Sequence, residues 1–376
     1  MSGAPRVLLA PDKFKGSLAA SGVADAVGRG IRSVLPGVEV VALPVADGGD
    51  GTLDAALAAG FDRVPVTVAG PTGEPVATAY ARRGSVAVVE MADACGLVRL
   101  PGDIPAPLTA SSAGLGEVVR AALDAGCDEL VLGIGGSAST DGGAGMLAAL
   151  GVRLLDDEGN ALPAGGGALA DLASVDLSGL HPAAEKARFV VACDVDNPLL
   201  GPKGAAAVYG PQKGASPDEV ASLDDALERL ADVVASALGA DHRAEAGAGA
   251  AGGVGFAALA LLDATLRPGI DLMLDLVGFD AHVPGSTLVV TGEGALDAQS
   301  LHGKAPVGVA RRAVAAGVPV VAVCGHRALG AEELRAAGIG AAYALLDLEP
   351  DVETCIREPA PLLARLGEQI AHEHLS

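Results

Sequence analysis

Gly133-Ile134-Gly135-Gly136-Ser137-Ala138-Ser139-Thr140-Asp141-Gly142-Gly143-Ala144-Gly145 follows the apolar run Glu129-Leu130-Val131-Leu132 and precedes Met146-Leu147-Ala148-Ala149-Leu150. The pattern reads as a buried strand, a glycine turn and a helix. So many glycines let a backbone approach another group closely. Hydroxyls and a carboxylate fall where the helix begins, a place where free N–H groups and the helix dipole attract anions. A phosphate-binding turn between strand and helix is the expectation, against the plain alternative of a tight turn with an ordinary cap.

The rest of the chain repeats the strand–turn–helix rhythm. Arg6 to Ala10 reads as a strand ending in Pro11-Asp12-Lys13-Phe14-Lys15-Gly16-Ser17, with Ser17 as cap of a helix over about 18–33. Val38 to Val45 reads as a second strand, ending in Asp47-Gly48-Gly49-Asp50-Gly51-Thr52. Residues 64–90 change to shorter strands with turns at Gly70–Gly73 and Arg83-Gly84, the mark of antiparallel hairpins. Thr109, Ser111 or Ser112 is expected to cap a helix over about 115–125. Arg188 to Cys193 is a strong strand leading into Asp194-Val195-Asp196-Asn197-Pro198, and 217–239 is amphipathic. Gly247 to Gly255, nearly all Gly and Ala, is expected to be a mobile loop or hinge. Strands at 288–290, 320–324 and 341–348 close the set.

With 376 residues, two domains are expected. The strand rhythm is shared by both ends of the chain and interrupted in the middle. An α/β fold follows: a Rossmann/flavodoxin-like, doubly wound parallel-sheet domain over 1–68 and 286–376. A second α/β domain, 69–285, is inserted and carries the glycine turn. With Trp 0, Tyr 3 and Phe 5, the core must be built from Ala, Val and Leu. A net charge of -22 excludes nucleic acid, whose phosphates need a basic surface. The five cysteines show no metal-ligand spacing and read as reduced thiols. Val7-Leu8-Leu9-Ala10 is too short for a secretory leader, and no apolar run reaches membrane-spanning length. A cytoplasmic protein without a membrane partner is expected, and a homo-oligomer is compatible with the sequence.

The lysines carry the sharpest chemical signal. Of the six, Lys13, Lys15, Lys203, Lys213 and Lys304 lie in the Gly-rich turns, and only Lys186 lies elsewhere. The same turns carry Asp12, Asp47, Asp50, Asp141, Asp194, Asp196, Glu293 and Asp297. Lysines and backbone amides suit phosphate or carboxylate, and carboxylates suit Mg²⁺ or a hydroxyl proton, so phosphoryl transfer from Mg-ATP is the chemistry this mixture fits. No Walker motif is present, since Lys304 is followed by Ala305. Gly133-x-Gly135-x-x-Ala138 with Asp156 imitates a dinucleotide fingerprint, so an NAD-dependent hydroxyacid dehydrogenase is the competing enzyme reading. A non-catalytic sensor of a small phosphorylated metabolite is the third.

Taken together, Ala10–Ser17, Ala46–Thr52, Gly135–Gly143, Cys193–Leu199, Gly210–Ala215, Thr291–Gly294 with Asp297, and Gly303–Pro306 resemble the type-1 glycerate kinases, in the same order along the chain. Asp50 in place of a more usual Glu, Ser139 in place of Thr and Ala113 in place of an aromatic are small departures that remove no charge. The resemblance implies ATP-dependent phosphorylation of D-glycerate, usually to 2-phosphoglycerate, in a cleft between two α/β domains. On that reading Asp194, Asp47 and Lys15 are the expected catalytic residues, and Lys13, Asp50, Lys304 and Glu293 hold the substrate. Gly135, Gly136, Ser137, Ser139, Thr140, Asp141 and Lys213 hold ATP phosphates, with Asp141 and Asp196 on Mg²⁺.

Overall fold

The computed structural model describes residues 5–375. Its strands, in chain order, are β1 (Arg6–Pro11), β2 (Glu39–Ala42), β3 (Asp62–Ala69), β4 (Pro75–Arg83), β5 (Val86–Glu90), β6 (Glu129–Gly133), β7 (Arg153–Leu155), β8 (Ser174–Asp176), β9 (Arg188–Ala192), β10 (Thr265–Arg267), β11 (Leu288–Leu296), β12 (Val320–Arg327) and β13 (Ala341–Ala344). Two compact units result. One takes the chain up to Asp47, then Asp54–Gly60, then everything from Ile270 onward; the other takes Gly48–Leu53 and Phe61–Gly269. The sequence expectation put the crossings at 68/69 and 285/286.

In the first unit a five-stranded sheet runs β13-β12-β11-β1-β2, with every neighbouring pair parallel. Counted within the unit, this is the flavodoxin-like order 2-1-3-4-5. Both faces are covered, which is why its strands are continuous apolar runs rather than alternating ones. Val7 and Leu9 of β1 pack with Val23, Val27 and Ile31 of the helix Ala20–Val34 and with Leu363, Leu366 and Ile370 of the helix Pro359–His374. Leu8 and Ala10 face the other way, toward Val309 and Ala313 of the helix Ala305–Ala315. Ser17 does not cap the first helix, which begins at Ala20. Its hydroxyl donates instead to the Ile356 carbonyl at 2.6 Å.

The second unit holds a six-stranded sheet, β10-β9-β6-β5-β4-β3. The first four strands are parallel, and β5-β4-β3 form the expected antiparallel hairpins. A separate ribbon, β7-β8, lies outside it. The helix Pro217–Leu238 starts in a capping box, Ser216 with Glu219, and buries Leu223, Leu227, Leu230 and Val234 along one face.

The Gly247–Gly255 stretch overturns its expectation. It is packed inside the unit, with all but Ala251 buried. Glycine is there because backbones touch: a Cβ on Gly252 would lie 2.1 Å from the Ser139 carbonyl oxygen, and one on Gly249 would lie 2.3 Å from that of Pro198. Lack of side chains signals close approach here, not motion.

The same device joins the first unit's terminal helices, where a Cβ on Gly30 would lie 1.9 Å from the Ala364 carbonyl oxygen. Alanine improves helix propensity by roughly 1 kcal/mol over glycine, but overpacking costs about 1–3 kcal/mol. Gly30→Ala should therefore lower Tm in a thermal melt; a raised Tm would mean that the helices do not meet at this point.

Candidate functional site

In the second unit the glycine turn is organised by one carboxylate. Asp141 is wholly buried. Its Oδ2 accepts from the Ser112 amide (2.8 Å), the Ser112 hydroxyl (2.9 Å) and the Gly145 amide (3.2 Å), while Oδ1 accepts from the Gly143 amide (3.1 Å). Ser112 Oγ in turn accepts from the Met146 amide at 2.9 Å. The first amides of the helix Ala144–Ala149 are thus satisfied from within, and Asp141 supplies the negative charge its dipole favours. The Asp141 carboxylate, expected on ATP phosphate and Mg²⁺, is thus surrounded by five donors of the chain itself, the Ser111 hydroxyl at 3.5 Å included. Ser112, expected as a helix cap, makes no cap hydrogen bond and serves this knot instead.

Beside it, Lys213 is almost fully buried. Its ammonium donates to Ser137 Oγ at 2.8 Å and to the Ser139 carbonyl, with the packed Gly252 at its back. Burial pulls its pKa down to about 8, against the opposing pull of Asp141. Ser139 Oγ and Thr140 Oγ1 are buried without a protein partner. A buried hydroxyl left unpaired costs about 1–3 kcal/mol, so these two oxygens fit an incoming polar ligand such as a nucleotide phosphate. Gly135 is half-buried and Gly136 exposed, so their backbone remains approachable.

The acidic turn Gly48–Leu53 lies on the C-terminal ends of the second sheet's strands. A Cβ on Gly135 would stand 2.7 Å from Gly49 Cα. Glu90, the last residue of β5, accepts from the Gly51 amide (3.1 Å) and the Leu53 amide (2.8 Å). Asp50 on this turn is exposed. Asp194, just past β9, is exposed and accepts from the Gly269 amide at 2.8 Å. Asp196 is exposed too. Among the described residues no group of three His, Cys, Asp or Glu is arranged to hold a metal ion.

In the first unit, the strand order reverses between β1 and β11, the topological switch point where open α/β sheets bind ligands. Asp12 follows β1 there and Glu293 lies in β11. The Val45 amide bonds the Pro11 carbonyl at 3.0 Å, which carries Asp47 close enough to Asp12 to raise its proton affinity. Lys13 Nζ stands 4.0 Å from Asp12 Oδ1, and Lys304 Nζ 3.8 Å from Glu293 Oε2. Burial pushes the Asp12 carboxyl up to about 7, with Lys13 opposing and Asp47 and Glu293 adding to the rise. Burial also raises Glu293, whose Oε1 has no partner. Lys13, Asp47, Glu293 and Lys304 are therefore gathered at one sheet edge, while Lys15 is exposed on the turn after β1.

The sequence places Asp12 among the acids of the glycine turns without a role of its own, and Glu90 is not among them. Both carried a signal: an acid directly at the end of an apolar strand run, Val7–Ala10 and Val86–Val89, is dear to bury without a purpose. The dinucleotide imitation fails on geometry. β7 is outside the sheet that contains β6, and Asp156 accepts from the amides of Glu158 (3.0 Å) and Asn160 (2.8 Å) in its own turn.

The comparisons with known proteins point one way. The family model described as the glycerate kinase family matches residues 7–375. A Bacillus subtilis (strain 168) glycerate kinase is 45% identical over 369 residues, covering 97% of each chain. An Escherichia coli (strain K12) glycerate 2-kinase is 41% identical over 370 residues, again covering 97% of each. A crystal structure described as glycerate kinase 2 from Salmonella typhimurium LT2 superposes with a TM-score of 0.86 at 41% identity, covering 98% of both chains. This chain belongs to the glycerate kinase family.

Proposed function

We propose that this protein is an ATP-dependent glycerate kinase that transfers the γ-phosphoryl group of ATP to the 2-hydroxyl of D-glycerate, giving 2-phosphoglycerate and ADP. The observation that carries the reading is a near full-length likeness to a glycerate 2-kinase in a chain with two matching features. Its lysine–carboxylate pairs stand at a sheet's switch point, and two buried hydroxyls of its glycine turn lack partners.

The chemistry follows from these groups. The glycerate hydroxyl oxygen bonds to the γ-phosphorus, the bond from that phosphorus to the bridging oxygen of ADP breaks, and the hydroxyl proton passes to a carboxylate. Asp194 and Asp47 remain the assigned acceptors, with Lys15 on the transferring group. Asp12 joins them, because a group holding its proton to about pH 7 suits proton uptake near neutrality. Lys13 and Lys304 suit the glycerate carboxylate, with Asp50 and Glu293 on its hydroxyls. Gly135, Gly136, Ser137, Ser139, Thr140 and Lys213 form the phosphate turn. A divalent cation bound with the nucleotide would neutralise phosphate charge, and Asp196 and Asp141 are the carboxylates proposed to hold it.

ADP should form only when D-glycerate and a divalent cation are both present, and phosphorus NMR should identify the 2-phosphate. ADP release indifferent to glycerate, or surviving EDTA, sinks the reading.

Ser139→Ala removes a hydroxyl that pairs with nothing in the protein, so Tm should hold or rise slightly. A hydrogen bond to a charged phosphate is worth about 1.5–3 kcal/mol, so KM for ATP should rise roughly 10- to 100-fold. An unchanged KM would remove Ser139 from the nucleotide site.

Asp12→Asn tests the switch-point carboxyl through its linkage to pH. The folded chain holds this proton to about pH 7, against 3.8 in the unfolded chain. Folding stability is therefore lost progressively as pH rises from 3.8 to about 7. The amide escapes that loss, so the variant should gain on wild type by an amount that grows from pH 5 to pH 8, on the order of a few kcal/mol. Its kcat should nonetheless fall. Denaturant melts at the two pH values decide, and equal differences at both would show that Asp12 is not charged against its surroundings.

A further inference from the structure

The segment Gly48–Leu53 belongs to the second unit although the chain on either side of it belongs to the first. What fastens it there is one row of residues across three neighbouring parallel strands. Glu90 of β5 is in register with Gly133 of β6, and Gly133 with Ala192 of β9. Each of the three meets the segment. A Cβ on Gly48 would lie 2.4 Å from that of Ala192, and a Cβ on Gly133 would lie 2.8 Å from the Gly48 carbonyl oxygen. Small residues at two places of the row let the backbone down onto the sheet edge. At the third, the Glu90 carboxylate reaches the Gly51 and Leu53 amides at 3.1 and 2.8 Å. Thr52 Oγ1 closes the turn on the Gly49 carbonyl at 2.6 Å.

Glu90 is 5% exposed at the end of an otherwise apolar strand. A carboxylate so placed costs several kcal/mol before its hydrogen bonds are counted. The chain bears this cost at a point 37 and 39 residues from the amides that it holds. An uncharged acceptor could have satisfied either amide. Only a carboxylate offers two acceptor oxygens and no donor to two neighbouring N–H groups. Asp50 in the turn and Asp93 nearby bear on it with like charge, Asp93 being paired with Arg99.

We infer that Glu90 is a positioning residue for phosphoryl transfer: its carboxylate fixes the Gly48–Leu53 turn on the β5-β6-β9 edge and so sets the aim of Asp50 and of the neighbouring Gly133–Gly136 backbone. This rests on the kinase reading above. Burial pushes the carboxyl up to about 7, and the two amide hydrogen bonds oppose that rise by favouring the charged form.

The test is Glu90→Gln and Glu90→Ala in the full chain, with steady-state kinetics, thermal melts and amide exchange at Gly51 and Leu53. Glutamine keeps one acceptor and alanine none. Exchange should speed up at one of the two amides in the first variant and at both in the second. A misplacement on the order of 1 Å costs up to about 100-fold in rate. Accordingly kcat should fall in the order wild type, Gln, Ala, while KM for ATP moves little and the Gln variant stays folded. If exchange accelerates but kcat is that of wild type, Glu90 is a structural anchor only and the inference falls. The inference falls equally if exchange at both amides is unaltered in the Gln variant. A wild-type protein with no glycerate-dependent ADP formation overturns the kinase reading instead, and the exchange data still report whether the anchor exists.

Discussion

A single buried carboxylate holds the glycine turn together, and the second unit's site depends on it. Asp141 takes five hydrogen bonds, from the Gly143 and Gly145 amides and from Ser111 and Ser112 just before another helix. Charge-assisted bonds of this kind are about twice as strong as neutral ones. With the helix's own N–H groups spent on Asp141, the turn is rigid before any ligand arrives. It still offers the Ser139 and Thr140 hydroxyls and the approachable backbone of Gly135 and Gly136. Lys213 completes the knot from below, and its bonds to Ser137 and Ser139 turn a flexible side chain into a fixed strut. Preorganisation of this sort is where electrostatic catalysis gets its strength, since fixed dipoles need no rearrangement during the reaction.

The first unit solves a different problem. Asp12 and Glu293 lie where the strand order reverses, and burial first, with the like charge of Asp47 added, makes both hold protons more tightly. Lys13 and Lys304 offset the crowding only in part, at 4.0 and 3.8 Å. An arrangement that strains against its own charge is poor for stability and well suited to exchanging a proton near neutral pH. The fold tolerates it because the strands beneath, Val7–Ala10 and Leu288–Val290, are buried on both faces.

Much of this was legible in the sequence. Parallel strands buried on both faces leave unbroken apolar runs, and those at 6–10, 188–192 and 288–290 are visible as such. The hairpins over 64–90 showed through their turn residues. The lysine clustering in glycine turns is visible too, and the structure sets two of those lysines, Lys13 and Lys304, beside carboxylates. What was hidden is long-range pairing. Nothing local tells that Asp141 faces Ser112, that Ser17 bonds Ile356 instead of its own helix, or that Glu90 serves a turn 39 residues earlier. A carboxylate's role depends on which donors surround it, and those donors come from elements that meet only in the fold.

Glycine was misread for a related reason. Gly247–Gly255 looks like a hinge when glycine is taken as freedom, yet the glycines there are points where one backbone rests on another. The composition makes this necessary. With 53 glycines and hardly any large aromatics, the chain cannot fill its interior with bulky side chains. It reaches interior packing density by bringing main chains together, as at Gly30 against Ala364, Gly367 against Val27 and Gly255 against Gly247. The same economy builds the site. Gly133 and Gly48 let the acidic turn settle on the sheet edge, and Gly252 lets the floor rise to Ser139 and Lys213. A backbone held that closely presents its amides and carbonyls at fixed positions. The glycine-rich segments thus hold their backbone by contact with other backbone, through residues that have no side chain of their own.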